Sequence, residues 1–270
     1  MYHSRITTAS PLRRGNLLPV RALVSAWSLL TLIALLAWAL TIGQARDMGI
    51  EPGTMGMGVP LFLLLWLAMM TAMMLPSVAP VAITWARGIN RQSTGVFRVV
   101  RMAGFTGGYL LVWTAFGLFA YAGLAATGHI VDDHADAGSW IGATAFLLAG
   151  LQQLGPLKNI CLRHCRSPMG QLMRYSQFRR RARDLRVGAH HALYCVGCCW
   201  GLMLVFIPLG VMNIPAMAGL AAVIFAEKLW RLGAAFSTAI GVVFLAFAVL
   251  APFQDWLLPG LQNAGSPMGP

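Results

Sequence analysis

Soft metal-binding side chains are concentrated in two short segments of this chain. The members are Cys161, His164 and Cys165 in the first segment, and His191, Cys195, Cys198 and Cys199 in the second. In a helix that advances by about 100° per residue, His191, Cys195 and Cys198 share one face, with Cys199 close beside them. Three thiolates and one imidazole would satisfy a four-coordinate zinc site, whereas thiolates with methionine suit copper(I). The spacing therefore predicts a soft-metal site and leaves both metals open.

A methionine-rich stripe lies earlier in the chain. Its members are Met69, Met70, Met73 and Met74. One helical turn separates Met69 from Met73 and Met70 from Met74, so the four thioethers occupy two adjacent faces. Pro76 and Pro80 follow them and would kink the helix and free backbone carbonyls. Taken alone, the stripe is more typical of core packing, since methionine fills helix interfaces readily. Together with the cysteines, which we expect at a similar depth, it would form a relay into the membrane.

The elements that position these side chains are long uncharged stretches. The chain has 270 residues, of which 58% are hydrophobic and 10% charged, whereas a soluble domain has about 25% charged residues. We predict an all-α, polytopic transmembrane helix bundle of about seven spans. These are 22–44, one within 53–86, 102–128, 140–157, about 192–212, about 215–231 and 232–254. The uncharged run 192–226 would reach about 52 Å as one helix, so we divide it at Asn213–Pro215. If it is instead one broken helix, there are six spans.

The distribution of charge predicts the orientation. The net charge of +12 does not indicate nucleic-acid binding, because all but one of the 20 Lys and Arg residues fall on one side of these spans. Basic residues mark cytoplasmic loops, so we expect a cytoplasmic N-terminus in a multi-pass protein of the bacterial inner membrane. The organisation is then a cytoplasmic tail (1–21), a transmembrane domain (22–254) with a basic cytoplasmic loop (158–189), and a periplasmic C-terminal tail (255–270).

Polar and small residues within the spans predict helix contacts. Gln152 and Gln153 need partners inside the bundle, and interhelical hydrogen bonds would supply them. Glu227 stands beside Lys228 at the end of a span. The two could form a proton-linked pair, but at this position we expect snorkelling to the membrane interface. Two small-xxx-small pairs predict close helix packing. These pairs are Gly104 with Gly108 and Gly197 with Gly201.

Several phrases together resemble a known family. They are Met69-Met-Thr-Ala-Met-Met-Leu-Pro-Ser77, Pro156-Leu-Lys158, Cys161-Leu-Arg-His-Cys-Arg-Ser-Pro168, Cys195-Val-Gly-Cys-Cys-Trp-Gly-Leu-Met203, Gly210-Val-Met-Asn213 and Glu227-Lys228. The chain resembles, from about residue 60 to 250, an uncharacterised bacterial family of predicted metal-binding integral membrane proteins, a domain of unknown function. The resemblance implies metal binding in a membrane and implies no particular metal, substrate or reaction.

Three functions remain open from the sequence. The leading one is binding of copper(I) or zinc at the cytoplasmic side for transport or delivery, with the lipid bilayer, the metal ion and a metallochaperone or a second copy of the chain as partners. The second is a membrane thiol–disulfide oxidoreductase that uses Cys195 and Cys198. The third is an assembly factor without metal, whose cysteines only pack. The sequence contains no nucleophile elbow and no phosphate-binding loop, so it favours a binding protein over an enzyme.

Overall fold

The protein is a bundle of helices joined by short connections. The computed structural model describes residues 20–48, 53–54, 56–90, 95–134, 136–167, 170, 173, 175 and 182–261. Its helices are α1 (Val20–Met48), α2 (Val59–Asn90), α3 (Gly95–Asp133), α4 (Ala137–Leu154), α5 (Pro156–Cys165), α6 (Arg183–Leu204), α7 (Phe206–Leu209), α8 (Ile214–Leu229) and α9 (Gly233–Leu250). Two short 3₁₀ helices follow, Ala251–Phe253 and Asp255–Leu257. No strand occurs in these ranges, so the predicted all-α class is confirmed there.

Four helices in the described part of the chain are long and apolar enough to cross a membrane. They are the segments Val59–Ile89, Val99–Asp133, Arg183–Leu204 and Gly233–Phe253, with a shorter apolar helix at Leu30–Arg46. The predicted count of about seven spans therefore stays a prediction. It would require α1, α4 and α8 to cross as well, and α4 carries two glutamines in its last turn.

The outer surface of the bundle supports a bilayer environment. Large apolar side chains point outward on α1, α2, α3 and α9; examples are Leu40, Leu64, Leu111, Phe119 and Val249, each more than 60% exposed. Monomeric soluble proteins rarely expose contiguous apolar patches of this kind. Lipid hydrocarbon would cover this surface without the hydration cost that water imposes.

The helix is interrupted between α6 and α8, where the sequence predicts a boundary between two spans. Gly210 has a φ of +87°, which glycine adopts more readily than any other residue. Asn213 then caps α8, because its side-chain oxygen accepts a hydrogen bond from the Ala216 amide at 3.1 Å, and Pro215 lies in the first turn. The predicted helix boundary at Asn213–Pro215 is thus confirmed. A break here orients α8 independently of α6.

The helix that carries the second cysteine segment begins earlier than predicted. We expect span five to begin near residue 192, but α6 begins at Arg183. Its polar first turn is held by Asp184, which pairs with Arg101 of α3 at 3.0 Å. Cys195 therefore lies about 18 Å along α6, at 1.5 Å per residue, and not within one or two turns of its start.

Glycines bring the site helices into close contact, as predicted. A Cβ atom on Gly108 of α3 would collide with the backbone carbonyl of Leu185. On α6, a Cβ on Gly197 would lie 2.8 Å from the Cys161 sulfur, and one on Gly201 would lie 2.7 Å from the Gln152 side-chain oxygen. Both glycine pairs thus lie at helix contacts.

Parts of the predicted tails and loop fall outside the described residues. They are 1–19 and 262–270, together with positions 168–169, 171–172, 174 and 176–181 of the predicted basic loop. Within the predicted C-terminal tail, Leu257, Leu258 and Leu261 are buried in the core.

Candidate metal centre

Four thiols from two helices meet in the core of the bundle. The sulfur of Cys165 on α5 lies 3.9 Å from that of Cys198 on α6. The Cys198 sulfur lies 3.3 Å from that of Cys199, and both of these thiols interact with that of Cys195. All four side chains are buried and all four are free thiols. We refer to Cys165, Cys195, Cys198 and Cys199 as the thiol cluster.

The sulfur atoms of the thiol cluster are spaced as packed side chains and not as the ligands of one ion. Two ligands of a tetrahedral ion with sulfur bonds of about 2.3 Å stand about 3.8 Å apart. The Cys165–Cys198 distance of 3.9 Å matches that value, whereas the Cys198–Cys199 distance of 3.3 Å is shorter. Within the described part of the chain, no three His, Cys, Asp or Glu side chains are placed so that they could hold one ion. The soft character of the donors fits copper(I), and side-chain rotation would be needed for more than two of them to share it.

The three other predicted Cys and His ligands lie around this cluster. The Cys161 sulfur packs toward Gly197, one turn from Cys165. His191 is buried, and its ring stacks on Tyr109 with centroids 6.2 Å apart. No described residue makes a hydrogen bond with its Nδ1. His164 is half-buried and stacks on Tyr194 at 3.8 Å. The predicted shared face of His191 with the cysteines of α6 is confirmed by their common burial.

Burial also sets the protonation of one peripheral thiol. It raises the pKa of Cys161, and the nearby Lys158 ammonium opposes that change. Burial penalises the charged form of any thiol. Cys161 is therefore a less ready thiolate ligand than an exposed cysteine would be.

The methionine stripe belongs to the same core as the thiol cluster. Met69, Met70, Met73 and Met74 are all buried in it. Ser77 lies one turn beyond Met73 and Met74, and its hydroxyl donates to the Met74 carbonyl at 2.8 Å. The structure therefore brings the stripe to the level of the site through α2.

A buried lysine connects α2 and α8 with the thiol cluster. Lys228 Nζ donates to Ser77 Oγ at 3.2 Å and to the Cys195 sulfur at 3.2 Å. Tyr109 of α3 approaches the same sulfur, with its hydroxyl oxygen 3.3 Å away. The Cys195 thiol thus has a cationic neighbour and a phenolic neighbour, and Lys228 fixes Ser77 and Cys195 at one depth.

A buried ion pair supports the cluster from the other side. Lys158 Nζ and Glu227 Oε2 are 2.6 Å apart, with both side chains at most 1% exposed. Lys158 also donates to the Cys198 carbonyl at 2.7 Å, and Gln153 donates to Glu227 at 2.8 Å. The network links α4, α5, α6 and α8 around the backbone of the thiol cluster.

The expectation that Glu227 and Lys228 snorkel to the interface is wrong. Both side chains are buried, because partners inside the bundle satisfy their charges and hydrogen bonds. Lys158 likewise lies in the core and not in a solvated basic loop, so neither lysine reports the orientation of the chain. The predicted interhelical role of the glutamines is confirmed, since Gln152 donates to the Gly197 carbonyl at 3.1 Å.

The sequence pattern missed three residues that contact the site. Lys158 follows an uncharged run directly and so resembles a loop residue, and Tyr109 lies in an apolar helix without a motif. Ser77 ends the methionine-rich phrase, but a serine hydroxyl is not a soft-metal ligand. The available signal was Glu227-Lys228 inside an otherwise apolar stretch. Ionisable residues at membrane depth usually face the bundle interior and one another.

Comparison with known proteins assigns the chain to a family. The chain matches the PpoB2 family, described as copper chaperone, over residues 63–251. This range includes the thiol cluster, the methionine stripe and the buried lysines. No curated protein matches the chain, and no solved structure matches it. Because the match extends over more than half of the sequence, the chain belongs to the PpoB2 family of copper chaperones.

Proposed function

We propose that this protein binds copper(I) in a membrane and delivers it to an acceptor. The thiol cluster is the observation that carries the proposal: four buried, unoxidised thiols converge from α5 and α6 in a family described as copper chaperone. Thiolate and thioether are the ligands that select copper(I) among biological metals. Copper is the cargo of the site and is released after binding.

The small number of sulfur atoms at ligand spacing favours copper(I) over zinc. Structural zinc sites are almost always tetrahedral with four protein ligands. Cys165 and Cys198 already stand at a separation that two ligands of one ion adopt. Copper(I) is stable with two or three sulfur ligands, so it requires less rearrangement of the packed thiols. Cys195 and Cys199 are then the neighbours through which the ion moves within the cluster.

The methionines provide a continuation of the site along α2. Met73 and Met74 lie one turn from Ser77, at the level of Lys228 and Cys195. Neutral thioethers bind copper(I) more weakly than thiolates do, and so permit transfer. We propose that the stripe relays the ion between the thiol cluster and the far end of α2. The protein would lie in the bacterial inner membrane, with a cytoplasmic N-terminus and about seven spans. A metallochaperone or a second copy of the chain would exchange copper at the thiol end.

Thiol–disulfide exchange is the competing function, and the position of the cysteines disfavours it. Cys195 and Cys198 are fully buried, whereas exchange requires a thiolate that a partner can reach. Cys195 lies twelve residues after the start of α6, beyond the first turn in which a helix N-terminus activates a thiol. Lys228 gives Cys195 a cationic neighbour at 3.2 Å, but the burial of the pair leaves no thiolate that a partner could reach.

The test is anaerobic copper(I) titration of the full chain in lipid nanodiscs, with a chromophoric chelator as competitor. We expect about one tightly bound copper(I) per chain in the wild type. Cys165→Ser and Cys198→Ser should each weaken binding at least tenfold, because one of two anionic ligands is lost. Cys161→Ser is the matched control, since its sulfur packs on Gly197 outside the closest thiol contacts, and it should change the affinity little.

Two results would contradict the proposal. One is wild-type protein that takes up no copper(I) above the level of nanodiscs without protein. The other is binding that survives unchanged in a Cys165→Ser/Cys198→Ser double variant, which would move the metal away from the thiol cluster. A mixed disulfide with a partner, trapped at Cys195 or Cys198, would instead support the oxidoreductase.

A further inference from the structure

The thiol cluster faces one buried positive charge, that of Lys228, which no carboxylate of the described residues neutralises. Among the described residues, the two ion pairs are Arg101 with Asp184 and Lys158 with Glu227. Lys228 belongs to neither pair, although its side chain is buried. Its hydrogen-bond partners are the hydroxyl of Ser77 and the sulfur of Cys195. Apart from the thiols, Lys158, Glu227 and Lys228 thus carry one excess positive charge beside the cluster.

The carboxylate beside Lys228 in the sequence is occupied elsewhere. Glu227 accepts from Lys158 at 2.6 Å on one oxygen and from Gln153 at 2.8 Å on the other. All four thiols of the cluster interact electrostatically with Lys228, and the Cys195 sulfur contacts its ammonium group at 3.2 Å. The counter-charge for Lys228 is therefore a thiolate or a metal–thiolate group.

We propose that Lys228 determines which cations the thiol cluster accepts, by favouring monovalent ions over divalent ones. This inference rests on the proposed function and names the selectivity of the same site. A copper(I) ion held by two thiolates forms a unit of charge −1, which the ammonium group balances. A divalent ion on the same two thiolates forms a neutral unit, which leaves the Lys228 charge buried without compensation.

The distances indicate the size of this discrimination. Lys228 Nζ lies 3.2 Å from the Cys195 sulfur, and a metal–sulfur bond adds about 2.3 Å. A cation at this sulfur would stand roughly 5 Å from the ammonium group. At an effective dielectric constant of about 20, each additional unit of charge on the ion changes its affinity by on the order of 100-fold.

The experiment compares silver(I), a redox-inert monovalent ion, with zinc(II) on the full chain in nanodiscs. The variant is Lys228→Gln, which keeps a hydrogen-bond donor for Ser77 and Cys195 and removes the charge. We expect the ratio of silver(I) affinity to zinc(II) affinity to fall on the order of 100-fold. Lys228→Arg keeps the charge and should keep a ratio near that of the wild type.

Arg231→Gln is the matched control, because it removes an exposed positive charge one turn away on the same segment. It should leave the ratio unchanged. If Lys228→Gln does not fold, Ser77→Asp provides a second test, since a carboxylate at that position would neutralise Lys228 in place and lower the same ratio.

The outcomes separate this inference from the function it rests on. Wild-type binding of one copper(I) with an unchanged ratio in Lys228→Gln overturns the selectivity role and leaves the copper site standing. A parallel loss of both affinities in this variant also overturns it, because it would show that Lys228 only maintains the structure. Failure of the wild type to bind any monovalent soft ion contradicts the proposed function itself.

Discussion

Removal of Glu227 should be among the most destabilising single changes in this protein. The carboxylate is 1% exposed and accepts hydrogen bonds from Lys158 and Gln153. Glu227→Gln would leave the buried charge of Lys158 without compensation, in addition to that of Lys228. Breaking a buried ion pair on one side costs about 3–5 kcal/mol. At about 2–4 °C per kcal/mol for a chain of roughly this size, the unfolding temperature should fall by roughly 6–20 °C.

The double variant Lys158→Met/Glu227→Gln should recover most of that loss. It removes both charges, and replacement of a whole buried pair by neutral groups is often close to neutral. The Cys198 carbonyl would lose the Lys158 donor and keep the Gln152 amide at 3.3 Å. We expect a coupling energy of at least about 2 kcal/mol between the two sites.

The assay is thermal unfolding of the purified protein in one detergent, followed by near-ultraviolet circular dichroism. Arg163→Gln is the control, because it removes an exposed charge from the same helix as Lys158 and should stay within about 0.5 kcal/mol of the wild type. If Glu227→Gln unfolds at the wild-type temperature, or if the double variant is as unstable as the sum of the singles, the buried Lys158–Glu227 pair does not stabilise the bundle.

Three further predictions follow from single contacts. Gly108→Ala should lower the unfolding temperature, because the new Cβ would collide with the backbone of α6. The control Gly107→Ala meets no atom within 4 Å and should be neutral or stabilising by up to about 1 kcal/mol. Thermal unfolding of both variants checks this. Burial raises the pKa of Cys161, so the buried neutral thiol stabilises the fold fully below about pH 9 and less as the pH rises toward the folded-state pKa. Cys161→Ala should therefore lose less stability above pH 9 than the wild type does. Unfolding measured between pH 7 and 10 checks this. Met73→Leu/Met74→Leu should cost less than about 1.5 kcal/mol in stability and keep the copper stoichiometry, while slowing release of copper(I) to a chelator in stopped-flow measurements.

Much of the fold is predictable because the signals are local. Uncharged runs indicate the helices, and Gly210 with Asn213 and Pro215 indicates the break before α8. The helix contacts at Gly108 and Gly201 follow from the small-xxx-small spacing. The start of α6 is less predictable, because Asp184 extends the helix by pairing with Arg101, a residue from a different helix.

The site is predictable in its ligand types and only partly in its environment. Helical spacing alone puts His191, Cys195 and Cys198 on one face, and the structure buries all three. The contact between Cys165 and Cys198 depends on how α5 packs against α6, and no local sequence pattern predicts that packing. Lys158 and Glu227 are far apart in the sequence, so only tertiary structure shows that each satisfies the other. From sequence alone, a charged residue at the end of a span is expected to snorkel, and only the structure shows the buried partner that holds it inside.

X-ray absorption spectroscopy of the copper(I)-loaded chain would show directly whether copper binds at the thiol cluster. We predict a first shell of two or three sulfur atoms, with fewer sulfur atoms in Cys198→Ser and an unchanged shell in Cys161→Ser. A first shell dominated by nitrogen or oxygen, or one that is the same in Cys198→Ser as in the wild type, would contradict a copper site in the thiol cluster.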